Sequence, residues 1–133
     1  MTPKTTAFVV LAVFLAAPAA RADEIPDALS VEWNGHHPCE KLDEDANIRV
    51  LRCTFEPGDM HVRHWHPAFF GCTLKGGHGK VVDSKGTREL EGKDGECFAS
   101  PPVPWHEFTN IGATTIQYIM VEKKYLPPPP STQ

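Results

Sequence analysis

Two histidines separated by a single residue are the part of this sequence best suited to chemistry. His64 and His66 flank Trp65 within residues 61–66, a segment that predicts a β-strand. Side chains alternate between the two faces of a strand, so both imidazoles are expected on one face and Trp65 on the other. Imidazole binds several divalent metal ions, and a third donor from another strand would complete a site with open coordination positions. His106 is the candidate for that third donor.

The strands that would position these histidines are short and are separated by turn-forming residues such as Glu56–Asp59 and Ser84–Gly86. Very little of the pattern indicates helix. Short strands with turn signals at nearly regular spacing predict an all-β fold, either a sandwich or a closed barrel. The predicted strands cover residues 47–55, 61–66, 69–75, 78–83, 87–91, 96–100, 105–109 and 114–122.

Composition limits the classes of function. The chain has 133 residues, of which 41% are hydrophobic and 23% charged, as in a single soluble globular domain. The 13 Lys and Arg residues against 17 Asp and Glu give a net charge of -4, the wrong sign for a nucleic-acid partner. The sequence also lacks a Gly-rich phosphate loop, a G-x-S-x-G elbow and a paired-carboxylate pattern. Phosphoryl transfer, serine hydrolysis and glycoside hydrolysis therefore have no support.

The first 22 residues have the pattern of a secretory signal peptide. Lys4 supplies a positive charge, residues 7–17 are an unbroken apolar run, and Ala20–Ala22 fits an A-x-A cleavage site. The apolar run is shorter than the roughly 20 residues that cross a bilayer, so we expect no stable membrane anchor. We expect a periplasmic or secreted protein; an uncleaved or buried N-terminal helix is the alternative.

Export would allow the four cysteines to form disulfides. Four cysteines permit three pairings, and the sequence does not choose among them. None lies in a C-x-x-C motif, so neither a zinc knuckle nor a thioredoxin-like redox site is indicated. The cysteines are Cys39, Cys53, Cys72 and Cys97.

Two motifs around the histidines resemble those of the cupin superfamily. The first begins at Gly58, continues after five intervening residues with the H-x-H pair, and ends at Gly76. The second begins at Gly95 and runs through a proline-rich turn to a histidine, followed after three residues by Asn110. Both motifs match in order and spacing, and the resemblance covers about residues 47–124.

The resemblance implies an antiparallel jelly-roll β-barrel that holds a metal ion inside through the motif histidines. The ligands that carry over are His64, His66 and His106. The ligand Glu of the family does not carry over, because it would fall at or next to Phe70, where this sequence has no acid. Three neutral imidazoles would leave the full dipositive charge on the ion, which favours an anionic ligand. Three-histidine cupins include ferrous thiol dioxygenases, so the resemblance implies Fe(II) first, with Mn, Ni, Zn or Cu as alternatives.

Strand alternation extends the expected site. If Phe70 faces the interior, Cys72 and Leu74 face it too and line a pocket. An apolar wall there would suit dioxygen chemistry or a ligand with an apolar part, although inward Phe and Leu residues are usually ordinary packing. The same alternation places His61 on the face opposite His64.

Three functions remain open at this point. The first is a dioxygenase-like oxidoreductase acting on a small anionic or thiol substrate, with no catalytic residue identified beyond the metal ligands. The second is non-catalytic capture of a metal ion or small ligand in the periplasm, and the third is a metal-free structural cupin that pairs as a homodimer. The expected organisation is a signal peptide at 1–22, an N-terminal segment at 23–46, the cupin domain at 47–124 and a Pro-rich tail at 125–133.

Overall fold

A computed structural model of the chain describes residues 24–127, and its regular structure consists of nine β-strands. Within that range, no helix is long and apolar enough to cross a membrane. The predicted signal peptide and most of the predicted tail lie outside the described residues. The all-β prediction is confirmed. The strands are β1 (Cys39–Glu44), β2 (Ile48–Phe55), β3 (Met60–His66), β4 (Phe69–Lys75), β5 (Gly77–Asp83), β6 (Gly86–Gly92), β7 (Cys97–Ser100), β8 (Val103–Asn110) and β9 (Ile116–Lys123).

The nine strands form two antiparallel sheets. One sheet has five strands in the order β1-β2-β9-β4-β7, and the other has four in the order β3-β8-β5-β6. From β2 onward the chain passes repeatedly from one sheet to the other, and only β5 and β6 are consecutive within a sheet. Such a two-sheet arrangement of crossing strands is the jelly-roll architecture.

The hydrophobic core lies between the inner faces of the two sheets. On β2, alternation places Leu51 and Phe55 inside with no exposed surface. The facing sheet contributes Val81 and Phe108, and the rings of Phe55 and Phe108 meet edge to face at 4.8 Å. Gly79 provides the space for this contact, because a Cβ atom there would lie 2.5 Å from the Phe108 ring.

Disulfides join neighbouring strands of the five-stranded sheet at two places. Cys39 of β1 lies opposite Cys53 of β2, and Cys72 of β4 lies opposite Cys97 of β7; each pair forms a disulfide. β1 itself lies in the N-terminal segment 23–46, where no strand was predicted. The first disulfide attaches this early strand to the core.

Candidate metal centre

An irregularity in strand pairing directs the β3 histidines to the interior. His61 lies opposite Phe108 and His64 lies opposite His106, so β3 uses three residue steps where β8 uses two. An extra residue of this kind is a β-bulge, and it reverses the alternation of side chains beyond it. His61, His64 and His66 are consequently all buried. The prediction that His61 faces away from His64 was wrong: their rings stack at 3.5 Å.

The three predicted ligands meet through their Nε2 atoms. The Nε2 atom of His64 lies 2.9 Å from Nε2 of His66 and 2.9 Å from Nε2 of His106. A metal ion with bonds of about 2.1 Å to two imidazoles at a right angle would separate the two nitrogens by about 3.0 Å. The observed separations therefore fit adjacent positions around one ion.

Hydrogen bonds on the far side of two rings determine which nitrogen carries the proton. The Nδ1 atom of His64 lies 2.6 Å from the Val62 carbonyl oxygen, which can only accept, so this nitrogen donates. The Nδ1 atom of His66 lies 2.8 Å from Oε1 of Glu122 and donates to it when that carboxyl is ionised. Both Nε2 atoms then present lone pairs to each other at 2.9 Å. Two neutral imidazoles that direct lone pairs at each other at this distance repel, and a metal ion bound between them removes the repulsion, so the donor set fits a metal ion.

Glu122 connects the histidines to a chain of charged groups. Arg49 lies directly opposite Glu122 across β2 and β9, and its Nε donates to Oε2 of Glu122 at 2.6 Å. Two further nitrogens of Arg49 donate to the carboxylate of Asp27, at 2.8 and 3.1 Å. Burial raises the pKa of Glu122 to about 7, while the guanidinium of Arg49 acts in the opposite direction. Arg49 thus favours the ionised carboxylate that fixes the proton of His66.

Burial also keeps the imidazoles in their neutral form. It lowers the pKa of His61 to about 4 and the pKa values of His66 and His106 to about 3. The pKa of His64 is lowered as well, first by burial and then by the neighbouring rings. Neutral imidazole is the form that binds metal ions, so these rings are ready to bind near neutral pH. These four residues are called the histidine cluster below.

Either His61 or His106 could be the third ligand beside His64 and His66. His61, His64 and His66 have ring nitrogens that all lie within 4.8 Å of one another, so these three could hold a metal ion. However, Nε2 of His61 lies 2.8 Å from the Ala28 carbonyl oxygen and must donate to it, and the ring of His61 stacks on that of His64. His106 instead directs Nε2 at His64 and lines the adjoining cavity. His106 is therefore the better third donor.

A cavity of about 600 Å³ adjoins the histidine cluster between the two sheets. His66 and His106 form part of its wall, and Phe69 packs beside His66 with ring centroids 5.5 Å apart. Aromatic and aliphatic side chains form much of the remaining surface. These include Val81, Phe98, Val103, Phe108, Tyr118 and Met120.

The predicted pocket residues on β4 have the opposite orientation from the one expected. Phe69 lies opposite Glu122 of β9 and shares its inner face, so alternation directs the next residue outward. Phe70 is 47% exposed and Leu74 is 45% exposed, and Cys72 is joined to a cysteine on β7 instead of lining the cavity. The prediction that Phe70, Cys72 and Leu74 face the interior was wrong, because the inward positions of β4 are displaced by one residue along the strand.

Sequence reasoning missed Glu122 and Arg49, although the sequence contained a signal for both. Inward positions of β9 alternate as Ile116, Tyr118, Met120 and Glu122. The inward positions of β2 likewise begin with Arg49 and continue with apolar residues. A charged residue on the apolar face of two strands indicates a buried pair.

Comparisons with known proteins bear on the fold. No family model and no curated protein matches the sequence. Among solved structures, a cupin domain from Bordetella pertussis is similar with a TM-score of 0.62 and 16% identity, over 77% of this chain and 99% of that chain. An uncharacterized protein from Klebsiella pneumoniae with a double-stranded β-helix domain has a TM-score of 0.56 and 17% identity, over 72% of this chain and 84% of its own.

A third similar structure is a cupin family protein from Methanocaldococcus jannaschii, also with a double-stranded β-helix fold. Its TM-score is 0.52 and its identity 14%, over 64% of this chain and 77% of that chain. At such identities the likeness concerns the fold. It confirms the architecture that the two sequence motifs implied.

Proposed function

Since the chain has the double-stranded β-helix fold of the cupin superfamily, we propose that it binds one divalent metal ion through His64, His66 and His106. The convergence of ring nitrogens supports this proposal: Nε2 of His64 lies 2.9 Å from Nε2 of each of the other two. When bound, the ion would supply Lewis acidity and a template for a substrate in the cavity.

The residues around the ligands have defined roles in this proposal. The Val62 carbonyl and the Glu122 carboxylate each hold an Nδ1 proton, which turns the Nε2 lone pairs of the ligands to the interior. Partners of this kind orient metal ligands and raise their basicity. Phe69 and the other apolar residues of the wall limit the access of water, which strengthens electrostatic interactions at the site.

For the chemistry, we propose Fe(II) as the resident ion and a dioxygenase-like oxidation of a small anionic or thiol substrate. Neutral ligands leave the charge of the ion uncompensated by its own ligands, which favours an anion. Mn, Ni, Zn and Cu are competitors, since imidazole binds each of them. The apolar cavity beside His66 and His106 offers space for the substrate.

We also propose that the protein functions outside the cytoplasm, in the periplasm or as a secreted protein. Two disulfides support this location, because disulfides persist mainly in oxidising compartments. Residues 1–22, with their positive start and apolar run, are the proposed export signal.

Metal analysis of protein purified without a histidine tag tests the proposal. We expect about one equivalent of bound Fe(II) or Zn(II), and we expect His64→Ala and His106→Ala to lose it while circular dichroism shows an intact β-fold. His78→Ala is the matched control, because His78 is an exposed histidine that pairs with Glu89. Full metal content in His64→Ala would show that this ring is not a ligand.

Oxygen uptake by the Fe(II)-loaded protein with a panel of small thiols and organic acids then separates the functions. Uptake that depends on His106 supports the oxidoreductase. Stoichiometric metal without uptake supports periplasmic capture of a metal ion or small ligand. Absence of metal after reconstitution supports a structural cupin.

A further inference from the structure

The wall of the 600 Å³ cavity has charged and imidazole side chains at one end and aromatic side chains beside them. In the four-stranded sheet, His106 lies opposite Asp83, and Phe108 lies opposite Val81, which in turn lies opposite Arg88. Arg88 therefore lies at the level of Phe108, roughly 7 Å along the strands from the level of His106 and two strands away from it. Its guanidinium nevertheless reaches the carboxylate of Asp83, which lies opposite His106. The histidine end of the cavity thus carries a guanidinium in addition to the imidazoles.

Arg88 has more N–H donors than its contact with Asp83 uses. Its Nη1 atom donates to Oδ2 of Asp83 at 2.7 Å, and Asp83 also accepts from the backbone nitrogen of Lys85. A guanidinium has five N–H donors in a planar fork that matches a carboxylate. Arg88 and Lys85 both line the cavity, so together with Asp83 they leave one net positive charge at the histidine end. The other two charged residues of the wall, Glu91 and Glu96, lie farther along β6 and before β7, away from the histidine cluster.

An aromatic surface follows directly beside the histidines. The ring of Phe69 lies 5.5 Å from that of His66 and 5.9 Å from that of Phe98. Tyr118 and Phe108 continue this surface on the two facing sheets, with their rings 6.3 Å apart and perpendicular. A ligand that reaches the histidines therefore lies against aromatic side chains.

We propose that the cavity binds a carboxylate with an aryl or branched alkyl body. Its carboxylate faces the metal ion and Arg88, and its body lies against Phe69, Phe98 and Tyr118. A volume of about 600 Å³ is typical of pockets for ligands of this size, whereas a two-carbon acid would leave the aromatic wall unfilled. The proposal rests on the proposed metal site and names the class of ligand that the site accepts.

Calorimetric binding to the Zn(II)-loaded protein tests the ligand class without any turnover. The probes are 4-phenylbutyrate, butyrate and 4-phenylbutanol, which separate the carboxylate from the apolar body. We expect 4-phenylbutyrate to bind at least about tenfold more tightly than either of the other two, because it alone satisfies both ends of the cavity. Equal affinity for 4-phenylbutyrate and butyrate would overturn the apolar part of the proposal.

Two matched pairs of variants locate the ligand. Phe98→Ala is expected to weaken 4-phenylbutyrate about tenfold and leave butyrate unchanged. Phe70→Ala is its control, because Phe98 and Phe70 are 45% and 47% exposed but only Phe98 lines the cavity. Arg88→Gln is expected to weaken both acids and not the alcohol. Arg52→Gln is its control, since Arg52 forms a comparable exposed ion pair with Glu40.

The outcomes distinguish this proposal from the metal proposal. Failure of the wild-type protein to bind Zn(II) would overturn the metal site itself. Stoichiometric Zn(II) with an identical response of Phe98→Ala and Phe70→Ala, or of Arg88→Gln and Arg52→Gln, would leave the metal site intact and overturn the ligand class.

Discussion

Mild acid is expected to destabilise the metal-free protein through the buried histidine cluster. In the folded protein, burial lowers the pKa of His61 from 6.5 to about 4 and the pKa of His66 and His106 to about 3, and it lowers the pKa of His64 as well. The unfolded chain binds protons at these four rings below about pH 6.5, while the folded chain does not. Their contribution to stability is therefore complete above pH 6.5 and is lost as the pH falls toward the folded pKa values.

The size of this loss follows from proton linkage. Between pH 7.5 and 5.5, each histidine that titrates at about 6.5 only in the unfolded chain costs about 1.4 kcal/mol of unfolding free energy. The four rings of the cluster together cost about 5–6 kcal/mol. The contribution of Glu122 to this change in unfolding free energy has the opposite sign. Its raised pKa of about 7 lets the folded protein bind a proton between pH 7.5 and 5.5. The protonation of Glu122 offsets about 2 kcal/mol, so the expected net loss is about 3–4 kcal/mol.

Urea denaturation of the metal-free protein at pH 7.5 and 5.5 measures this loss directly. His106→Phe should reduce the pH-dependent loss by about 1.4 kcal/mol, because it removes one titrating ring. His78→Phe should leave the loss unchanged, since His78 is exposed and pairs with Glu89 at the surface. An unfolding free energy that is the same at both pH values, with an unchanged m value, would refute the neutral buried cluster.

Three substitutions probe the site and the core. Glu122→Gln keeps an acceptor for the neighbouring imidazole but removes the charge, so Zn(II) affinity in a chelator competition should fall about 10–100-fold; unchanged affinity would contradict its role. Gly79→Ala should lower the unfolding free energy by about 1–3 kcal/mol, because the new Cβ lies 2.5 Å from the Phe108 ring. Gly92→Ala, where the nearest atom is 3.8 Å away, is its near-neutral control in thermal denaturation. Phe70→Glu should leave Zn(II) affinity unchanged, because Phe70 faces outward; a gain would place it inside.

The sequence predicted the strands well because local patterns govern them. Eight strands were expected and all eight occur, with bounds that differ by at most about two residues. Turn residues such as Pro57 and Gly58 end strands whatever their partners are. β1 was missed, since its sequence, Cys39–Glu44, consists mostly of exposed polar residues that do not alternate with apolar ones. Its strand structure depends on pairing with β2, which is a long-range property.

The two errors of orientation have the same origin. The bulge that brings His61 to the side of His64 arises where β3 pairs with β8, some 40 residues later in the chain. In β4, two adjacent phenylalanines allow either face to be the inner one, and the pairing of Phe69 with Glu122 decides between them. Alternation predicts which residues share a face, but only the partner strand determines which face is buried.

The buried position of Glu122 changes the charge expected at the site. The motif lacks a carboxylate ligand, yet Glu122 places one a single imidazole ring further out, 2.8 Å from Nδ1 of His66. Arg49 and Asp27 continue the chain with one positive and one negative charge, so the three groups together contribute one net negative charge when all are ionised. A divalent ion would therefore experience a compensating charge through His66 without losing a coordination position. We therefore expect the open coordination positions to stay available to an anion, and we expect Glu122 to affect metal affinity through the proton on His66 Nδ1.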